Sequence, residues 1–169
     1  MTCQAEKNNC AVVVSSFDGY ADAWGPFFTL FFKFWPDCPY KIYLITNNKT
    51  YSHKRVINKK IFPDKGWSSN LIKVLKNIDE HYIIYFQEDY FLQSKVDTDK
   101  VKYCLKVLQY EQAVCIRLKG RKPNLSYKGY KDIGEIGLDE PYRVSTQATI
   151  WNKYELLDIL KKGESGWDF

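Results

Sequence analysis

Short apolar runs separated by longer amphipathic stretches mark the first ninety residues of the chain. Residues 11–14, 40–46 and 82–86 are rich in β-branched and aromatic side chains, which is typical of buried parallel strands. Residues 55–62 show a weaker version of the same pattern and predict a further strand. Strands are therefore expected to alternate with helices along this part of the chain, as in an α/β protein.

Apolar residues spaced three and four positions apart fill the intervals between these runs and predict amphipathic helices. The first helix is expected to open at Gly25-Pro26 and to close at Pro36, and the second follows Gly66. We interpret the rings on both helix faces as core packing. The apolar positions of the first helix are Trp24, Phe27, Phe28, Phe31, Phe34 and Trp35, and those of the second are Trp67, Leu71, Val74, Leu75 and Ile78.

The second half of the chain continues the alternation but contains one irregular stretch. Residues 101–108 predict a helix, and residues 113–118 predict a strand. Residues 119–141 predict an excursion without regular structure, because Gly and Pro stand there among many charged residues.

Residues 142–151 alternate as a strand and lead into the last predicted helix. Asn152 followed by Glu155 resembles a capping box, so this helix is expected to begin there and to end at Gly163. The order of elements predicts an α/β fold with a mostly parallel central sheet flanked by helices. A chain of this length is expected to form a single domain, residues 1–169.

The composition argues against a membrane-spanning protein, a secreted protein and a histidine-based site. The longest apolar stretch, residues 24–35, is much shorter than the about 20 residues that a membrane-spanning helix needs, and the first ten residues lack the apolar run of a signal peptide. The two histidines, His53 and His81, give little support to a histidine metal site or a nucleophile triad. Five cysteines without a CxxC pair predict reduced thiols in a cytoplasmic protein, at positions Cys3, Cys10, Cys38, Cys104 and Cys115.

Positive charge is concentrated in residues 41–65. The chain has a net charge of +5, and this segment holds seven basic residues against one acid, Asp64, so it accounts for the whole excess. A solvated surface is the commonest meaning of such a segment. The functional interpretation is an anionic partner, either a phosphate-bearing substrate or an acidic membrane surface. Nucleic acid is not expected as a partner, because no base-stacking rings interleave the basic residues.

Polar side chains follow the ends of three predicted strands. In open α/β sheets, ligands bind beyond the carboxyl ends of the parallel strands, so these side chains are expected to share one rim. A carboxylate directly after an apolar strand needs a partner, and a divalent cation is a natural one. A strand-terminal turn explains the same residues equally well. The residues are Ser15, Ser16 and Asp18 after the first strand, Asn47 after the second, and Gln87, Glu88 and Asp89 after the fourth.

Three segments resemble the GT-A-fold nucleotide-sugar glycosyltransferases of bacterial polysaccharide synthesis. Residues 64–71 (DKGWSSNL), a helix and the run YIIYFQEDYFL resemble the segment that leads into the DxD motif of that family, with Asp89 on the second acid and Gln87 where the first acid is usual. The segment AVVVSSFDGYADAW is similar to the first strand and loop that hold the nucleotide. The segment VSTQATIWNKYELLDILKKGESGWDF is similar to the acceptor-side strand and helix. Residues 11–92 and 93–169 are accordingly expected to form the nucleotide-sugar and acceptor parts.

The resemblance implies transfer of a sugar from a nucleotide-sugar donor to a glycan or lipid-linked acceptor in cell-surface polysaccharide assembly. A metal ion held by Asp89, Mn²⁺ or Mg²⁺, would neutralise the leaving diphosphate, with Glu88 as a further source of negative charge. The base is expected to be Asp168. Burial against Trp167 should raise the pKa of this carboxyl, which makes it a better proton acceptor. Glu164 is the nearest alternative. Donor binding is assigned to Ser16, Asp18, Asn47, Lys65, Gly66, Trp67, Gln87 and Glu88, and acceptor binding to Gln147 and Trp167.

Two alternatives remain open at this stage. A sugar-phosphate nucleotidyltransferase would need Lys or Arg in the loop after the first strand, and that loop, SSFDGYADAWG, has neither. A non-catalytic domain that binds sugars or nucleotide sugars is the second alternative, and Gln87 in place of an acid favours it. Trp67 and Trp167 are candidates for stacking on sugar rings, with core packing as the alternative for each. The expected location is the cytoplasm, with peripheral association at the inner face of the cell membrane.

Overall fold

A six-stranded mixed sheet forms the centre of the computed structural model, which describes residues 9–119, 126–139 and 144–169. The strands lie in the order β3-β2-β1-β4-β6-β5. All six residues of β1 are buried, as its uninterrupted apolar sequence predicts for a central strand. The strands are β1 (Cys10–Ser15), β2 (Lys41–Thr46), β3 (Val56–Lys60), β4 (Tyr82–Gln87), β5 (Cys115–Arg117) and β6 (Thr149–Asn152).

The directions of the strands divide the sheet into two parts. Strands β3, β2, β1 and β4 pair in parallel, whereas β6 is antiparallel to both of its neighbours, β4 and β5. The predicted α/β fold with a sheet flanked by helices is confirmed. Strand β6 runs against the others, which makes the sheet mixed.

Helices cover both faces of this sheet. Helices α1 (Ala21–Phe34) and α3 (Thr98–Tyr110) pack with Val12, Val14 and Phe86 on one face. Helices α2 (Trp67–Leu75) and α4 (Lys153–Ile159) pack with Val13 and Tyr85 on the other face. Alternate residues of each strand therefore point to opposite layers, as the period of two in a strand requires.

The start of α1 differs from the prediction. The helix begins at Ala21 and contains Pro26, so the predicted opening at Gly25-Pro26 is wrong. Pro26 supplies no N–H to the helix, but Trp24 holds the first turn against the core. Its side chain is buried, and its indole N–H donates to the Ser16 hydroxyl at 2.7 Å.

The last strand and the last helix are shorter than predicted. The expected strand at 142–151 is reduced to β6, while residues 144–148 are irregular and residues 142–143 lie outside the described ranges. The described part of the 119–141 excursion, residues 119 and 126–139, holds no helix or strand and one isolated bridge between Ser126 and Gly134. Asn152 does cap α4, but its side chain accepts from the N–H of Tyr154 and the helix ends before Gly163.

Two further sequence expectations concern membrane helices and thiols. Within the described ranges, no helix has both the length and the apolar character that crossing a membrane requires. Cys10, Cys38 and Cys104 are buried free thiols, Cys115 is half-buried, and Cys3 lies outside the described residues.

Candidate functional site

The strand order reverses between β1 and β4. The chain leaves β1 toward β2 and β3 on one side, and β4 lies on the other side. Loops diverge at such a switch point, and ligands of open α/β sheets bind in the crevice that this leaves beyond the carboxyl ends of the strands. Ser15 and Gln87 are directly paired at these ends, so the polar residues that follow both strands meet at one rim.

Glu88 is a buried carboxyl at this rim. Its exposed fraction is 7%, and its side chain accepts a hydrogen bond from Ser16 on the α1 side of the sheet. Burial, and to a smaller extent the negative charge of Asp89, raise the pKa of Glu88 to about 7, against the opposing effect of its hydrogen bonds. Glu88 is therefore a carboxyl group that changes charge close to neutral pH.

Gln87 and Asp89 have different surroundings. Gln87 points to the opposite face, where it hydrogen-bonds to the buried Tyr85 hydroxyl and lies close to Gly166. The alternation that separates Gln87 from Glu88 is thus confirmed. Asp89 is exposed in the turn after β4, and its carboxylate makes no hydrogen bond with any described residue. Of the acids at this rim, Asp89 is the one whose oxygens are directly accessible to a ligand.

Asp18 and Asn47 lie near the rim, but their polar atoms already have partners. Asp18 accepts hydrogen bonds from the backbone N–H groups of Asn47, Asn48 and Lys49 at 2.8–2.9 Å. Burial alone would raise the pKa of Asp18, yet these three N–H groups outweigh it and the pKa lies below its usual range. Asn47 accepts from the Asp18 N–H and donates to the carbonyl of Ile61. Both side chains join loops, and their predicted contact with the donor stays a prediction.

Lys65, Gly66 and Trp67 surround the start of α2. Gly66 has φ +85°, a conformation that glycine adopts without strain, and its N–H donates to Asp64. The indole N–H of Trp67 donates to the Tyr85 hydroxyl at 2.8 Å, and its ring lies 5.4 Å from that of Phe169. Trp67 thus packs within the protein. Lys65 is exposed and borders a cavity of about 220 Å³, together with Ile61, Pro63, Ser69, Asn70 and Lys73.

Residues 163–169 lie over the start of α2. The N–H of Gly163 donates to the Ser69 hydroxyl, and the N–H of Ser68 donates to the carbonyl of Glu164. Trp167 is 98% exposed, so its ring is open to a partner. Gln147 is exposed just before the start of β6. The structure leaves both proposed acceptor contacts accessible.

Asp168 does not have the surroundings that the sequence suggests. Its carboxylate is exposed and accepts from the N–H and the hydroxyl of Ser165 at 2.8 and 2.7 Å. These hydrogen bonds, the backbone one above all, lower the pKa of Asp168, so the expectation of a raised pKa is wrong. Glu164 accepts from the N–H of Lys161 in the same segment. Both acids stabilise turns, and their catalytic roles stay predictions.

The basic segment 41–65 is only partly a free surface. Four of its seven cations have partners within the protein. Lys54, Lys60 and Lys65 are exposed, and contact of this segment with an anionic membrane remains a prediction. The four pairs are Lys41 with Glu80, Lys49 with the Asp18 carbonyl, Arg55 with the Pro36 and Cys38 carbonyls, and Lys59 with the Asn77 carbonyl.

The sequence interpretation missed Arg117 and Thr149. Two nitrogens of Arg117 and the hydroxyl of Thr149 are buried without a hydrogen-bond partner among the residues that the structure describes. A signal for Arg117 was present, because it is the one charged residue in the apolar run AVCIRL. Thr149 gave no such signal, since threonine is an ordinary strand residue.

Comparisons with known proteins do not assign a family to this chain. No protein-family model matches the chain, and no match was found among curated proteins.

Proposed function

We propose that the chain is a GT-A-like glycosyltransferase that moves a sugar from a nucleotide-sugar donor to a glycan or lipid-linked acceptor in cell-surface polysaccharide assembly. The observation that carries this proposal is the switch point between β1 and β4, with Ser16 on one side and Glu88-Asp89 on the other. Nucleotides bind at such points in open α/β sheets. The accessible Asp89 carboxylate next to this crevice supports a role in binding the donor diphosphate.

The acids at the rim fit a cation that is shared with the substrate. Within the described ranges, no three side chains of the His, Cys, Asp or Glu type come together as a metal cluster. Mg²⁺ is commonly bound through one or two carboxylates, with substrate phosphates and water as its other ligands. Asp89, with the adjacent Glu88, would hold Mg²⁺ or Mn²⁺ in this way. The ion supplies positive charge that stabilises the leaving diphosphate.

The remaining steps are assigned to residues of the chain itself. A carboxylate takes the proton of the attacking acceptor hydroxyl, and Asp168 is proposed for this role, with Glu164 as the alternative. Asp168 must exchange its hydrogen bonds with Ser165 for one to the acceptor. The exposed Trp167 beside it offers a ring on which a sugar can stack.

Release of free nucleoside diphosphate tests this function. The full chain is incubated with a panel of nucleotide sugars and Mn²⁺, with and without candidate acceptors, and free UDP and GDP are measured. Release that depends on Asp89 supports the transferase. Joining of a sugar phosphate to a nucleoside triphosphate, with pyrophosphate released, would identify the nucleotidyltransferase alternative.

A non-catalytic nucleotide-sugar-binding domain is the second candidate. The observation that favours it is Gln87, a neutral side chain that hydrogen-bonds to the buried Tyr85 hydroxyl where the family usually has an acid. Calorimetry that shows donor binding, combined with no release of nucleoside diphosphate from any donor, would select this candidate.

A further inference from the structure

Arg117 holds buried hydrogen-bond donors that no described residue pairs with. Its Nε and one of its terminal nitrogens are buried and have no hydrogen-bond partner among residues 9–119, 126–139 and 144–169. The residue as a whole is half-buried. Buried guanidinium groups are normally paired with a carboxylate or with several hydrogen-bond acceptors, because an unpaired buried charge is costly. An arginine in this state is therefore complementary to a missing anion.

Thr149 adds a second unused polar group at the same place. It is the direct cross-strand partner of Arg117, and its hydroxyl is also buried without a partner in the described part of the chain. Cys115 and Trp151 pack on the α2 and α4 side of the sheet, and alternation places Arg117 and Thr149 on that side as well. The two side chains are thus neighbours on one face, on strands about 4.8 Å apart.

Tyr85 connects this pair to the candidate donor site. It is the cross-strand partner of Thr149 on the other side and packs on the same face. Its buried hydroxyl accepts from Trp67 and hydrogen-bonds to Gln87 and Ser15 at the switch point. Arg117, Thr149 and Tyr85 therefore form one polar row that runs across three strands toward the crevice between β1 and β4.

In the described ranges, no carboxylate pairs with the buried nitrogens of Arg117. Asp168 and Glu164, the carboxylates of the neighbouring 163–169 segment, accept their hydrogen bonds from Ser165 and Lys161. A guanidinium fork presents two parallel N–H groups, which match the two oxygens of a carboxylate or a phosphate. A threonine hydroxyl can donate a third hydrogen bond to the same anion.

We propose that Arg117 and Thr149 bind an oxyanion, a phosphate or a carboxylate, that belongs to the acceptor. The assignment to the acceptor rests on the proposed transfer reaction, because Arg117 and Thr149 lie in the 93–169 part and the row leads to the donor crevice. The two sources are the phosphate of a lipid-linked carrier and the carboxylate of an acidic sugar. The anion site itself follows from the unpaired donors and does not depend on turnover.

Thermal unfolding of the full chain in a buffer free of oxyanions tests the site. Inorganic phosphate and glucuronate are the two probes, with glucose as the neutral control. At about ten times the dissociation constant, the bound probe is expected to raise the Tm of the wild type by about 3–6 °C. A larger effect of phosphate would identify a phosphate-bearing acceptor, and a larger effect of glucuronate an acidic sugar.

Arg117→Met is expected to remove this shift and to leave the Tm without anion unchanged or higher, because an unpaired charge is lost. Arg55→Met is the matched control: Arg55 donates to the Pro36 and Cys38 carbonyls, so its loss should lower the Tm and keep the anion shift. Arg117→Lys and Thr149→Val, which change less of the packing, should reduce the shift.

The proposal is overturned if neither probe shifts the wild type, or if the variants of Arg117 and Thr149 shift as much as the wild type. A lower Tm of Arg117→Met in the absence of anion would also overturn it, because Arg117 would then be satisfied within the protein. Release of nucleoside diphosphate without anion binding would reject this inference alone. Anion binding without release from any donor would reject the proposed function and leave the site standing.

Discussion

Two buried glutamates flank the same strand and differ in almost every respect. Glu80 precedes β4 and is 1% exposed, and Glu88 follows β4 and is 7% exposed. Glu80 accepts from Lys41 at 2.8 Å and from the Tyr43 hydroxyl. Burial would raise the pKa of Glu80, but these partners outweigh it and the pKa is lowered, whereas the pKa of Glu88 is raised.

The two glutamates lie at opposite edges of the sheet, the amino edge and the carboxyl edge of the parallel strands, and the two edges differ in how well their charges are paired. At the amino edge, a buried charge is matched by partners from β2, and Lys153 donates to the Ile78 carbonyl beside it. At the carboxyl edge, Glu88 is buried with few partners, and two buried nitrogens of Arg117 have no partner among the described residues. Proteins tolerate poorly matched charges mainly where a ligand completes them. The comparison predicts that changes at the amino edge reduce stability, and that changes at the carboxyl edge reduce function.

The largest effect is expected for Asp89→Asn. Loss of one charge at the proposed cation site should lower the release of nucleoside diphosphate by at least about 100-fold and weaken Mn²⁺-dependent binding of UDP or GDP. The Tm should stay close to that of the wild type, because Asp89 is exposed and makes no side-chain hydrogen bond with described residues. Turnover assays and calorimetry measure these effects.

Asp158→Asn, an exposed acid on α4, is the matched control for Asp89 and should leave turnover unchanged. Equal affinity for UDP and GDP with Mn²⁺ or with EDTA, in wild type and variant alike, would show that the metal role of Asp89 is wrong.

Asp168→Asn should reduce kcat by about 10²–10⁴-fold if Asp168 is the base, with donor affinity nearly unchanged. Glu164→Gln should have a mild effect, since its carboxylate accepts a hydrogen bond from its own segment. Steady-state kinetics at saturating donor measure the difference. Turnover of Asp168→Asn near that of the wild type would exclude Asp168 as the base.

Glu80→Gln should lower the free energy of unfolding by about 2 kcal/mol, because it removes the charge that the Lys41 ammonium faces. The lowered pKa of Glu80 implies stability that is present above the usual carboxyl pKa and is lost as the pH falls through the folded-state value. The deficit of the variant should therefore shrink in acid. Urea denaturation at pH 7 and pH 3.5 measures it.

Asp79→Asn is the control for Glu80, because Asp79 is adjacent and exposed. Its stability should lie within about 0.5 kcal/mol of the wild type. If Glu80→Gln proved as neutral as this control at pH 7, the amino edge would not be the stabilising network that the contacts indicate.

Glu88→Gln should have an effect of the opposite sign. A raised pKa implies stability that is present below the unfolded value and is lost as the pH rises through about 7. The variant should consequently be more stable than the wild type at pH 8, by up to about 3 kcal/mol, and the difference should vanish toward pH 4. Urea denaturation in EDTA at both pH values tests this, and a variant that is less stable at pH 8 would contradict it.

The features that the sequence predicted correctly are those with a local cause. The burial of β1 and the position of α2 follow from composition and periodicity, and the separation of Gln87 from Glu88 follows from strand alternation. The features that it missed depend on distant partners. Asp18 meets N–H groups about thirty positions away, and the unused donors of Arg117 are visible only once the packing around β5 is known.

The hydrogen bonds that Asp18 makes with the loop after β2 have a consequence for the energetics of ligand binding. Asp18 and Asn47 together tie the loops after β1, β2 and β3 into one unit through hydrogen bonds with four backbone N–H groups and one backbone carbonyl. The nucleotide of the proposed donor would meet a surface that is already ordered, so little conformational entropy would be lost there on binding. Any ordering that does accompany binding must then fall on the other side of the crevice, in the turn that carries Asp89 and in residues 163–169.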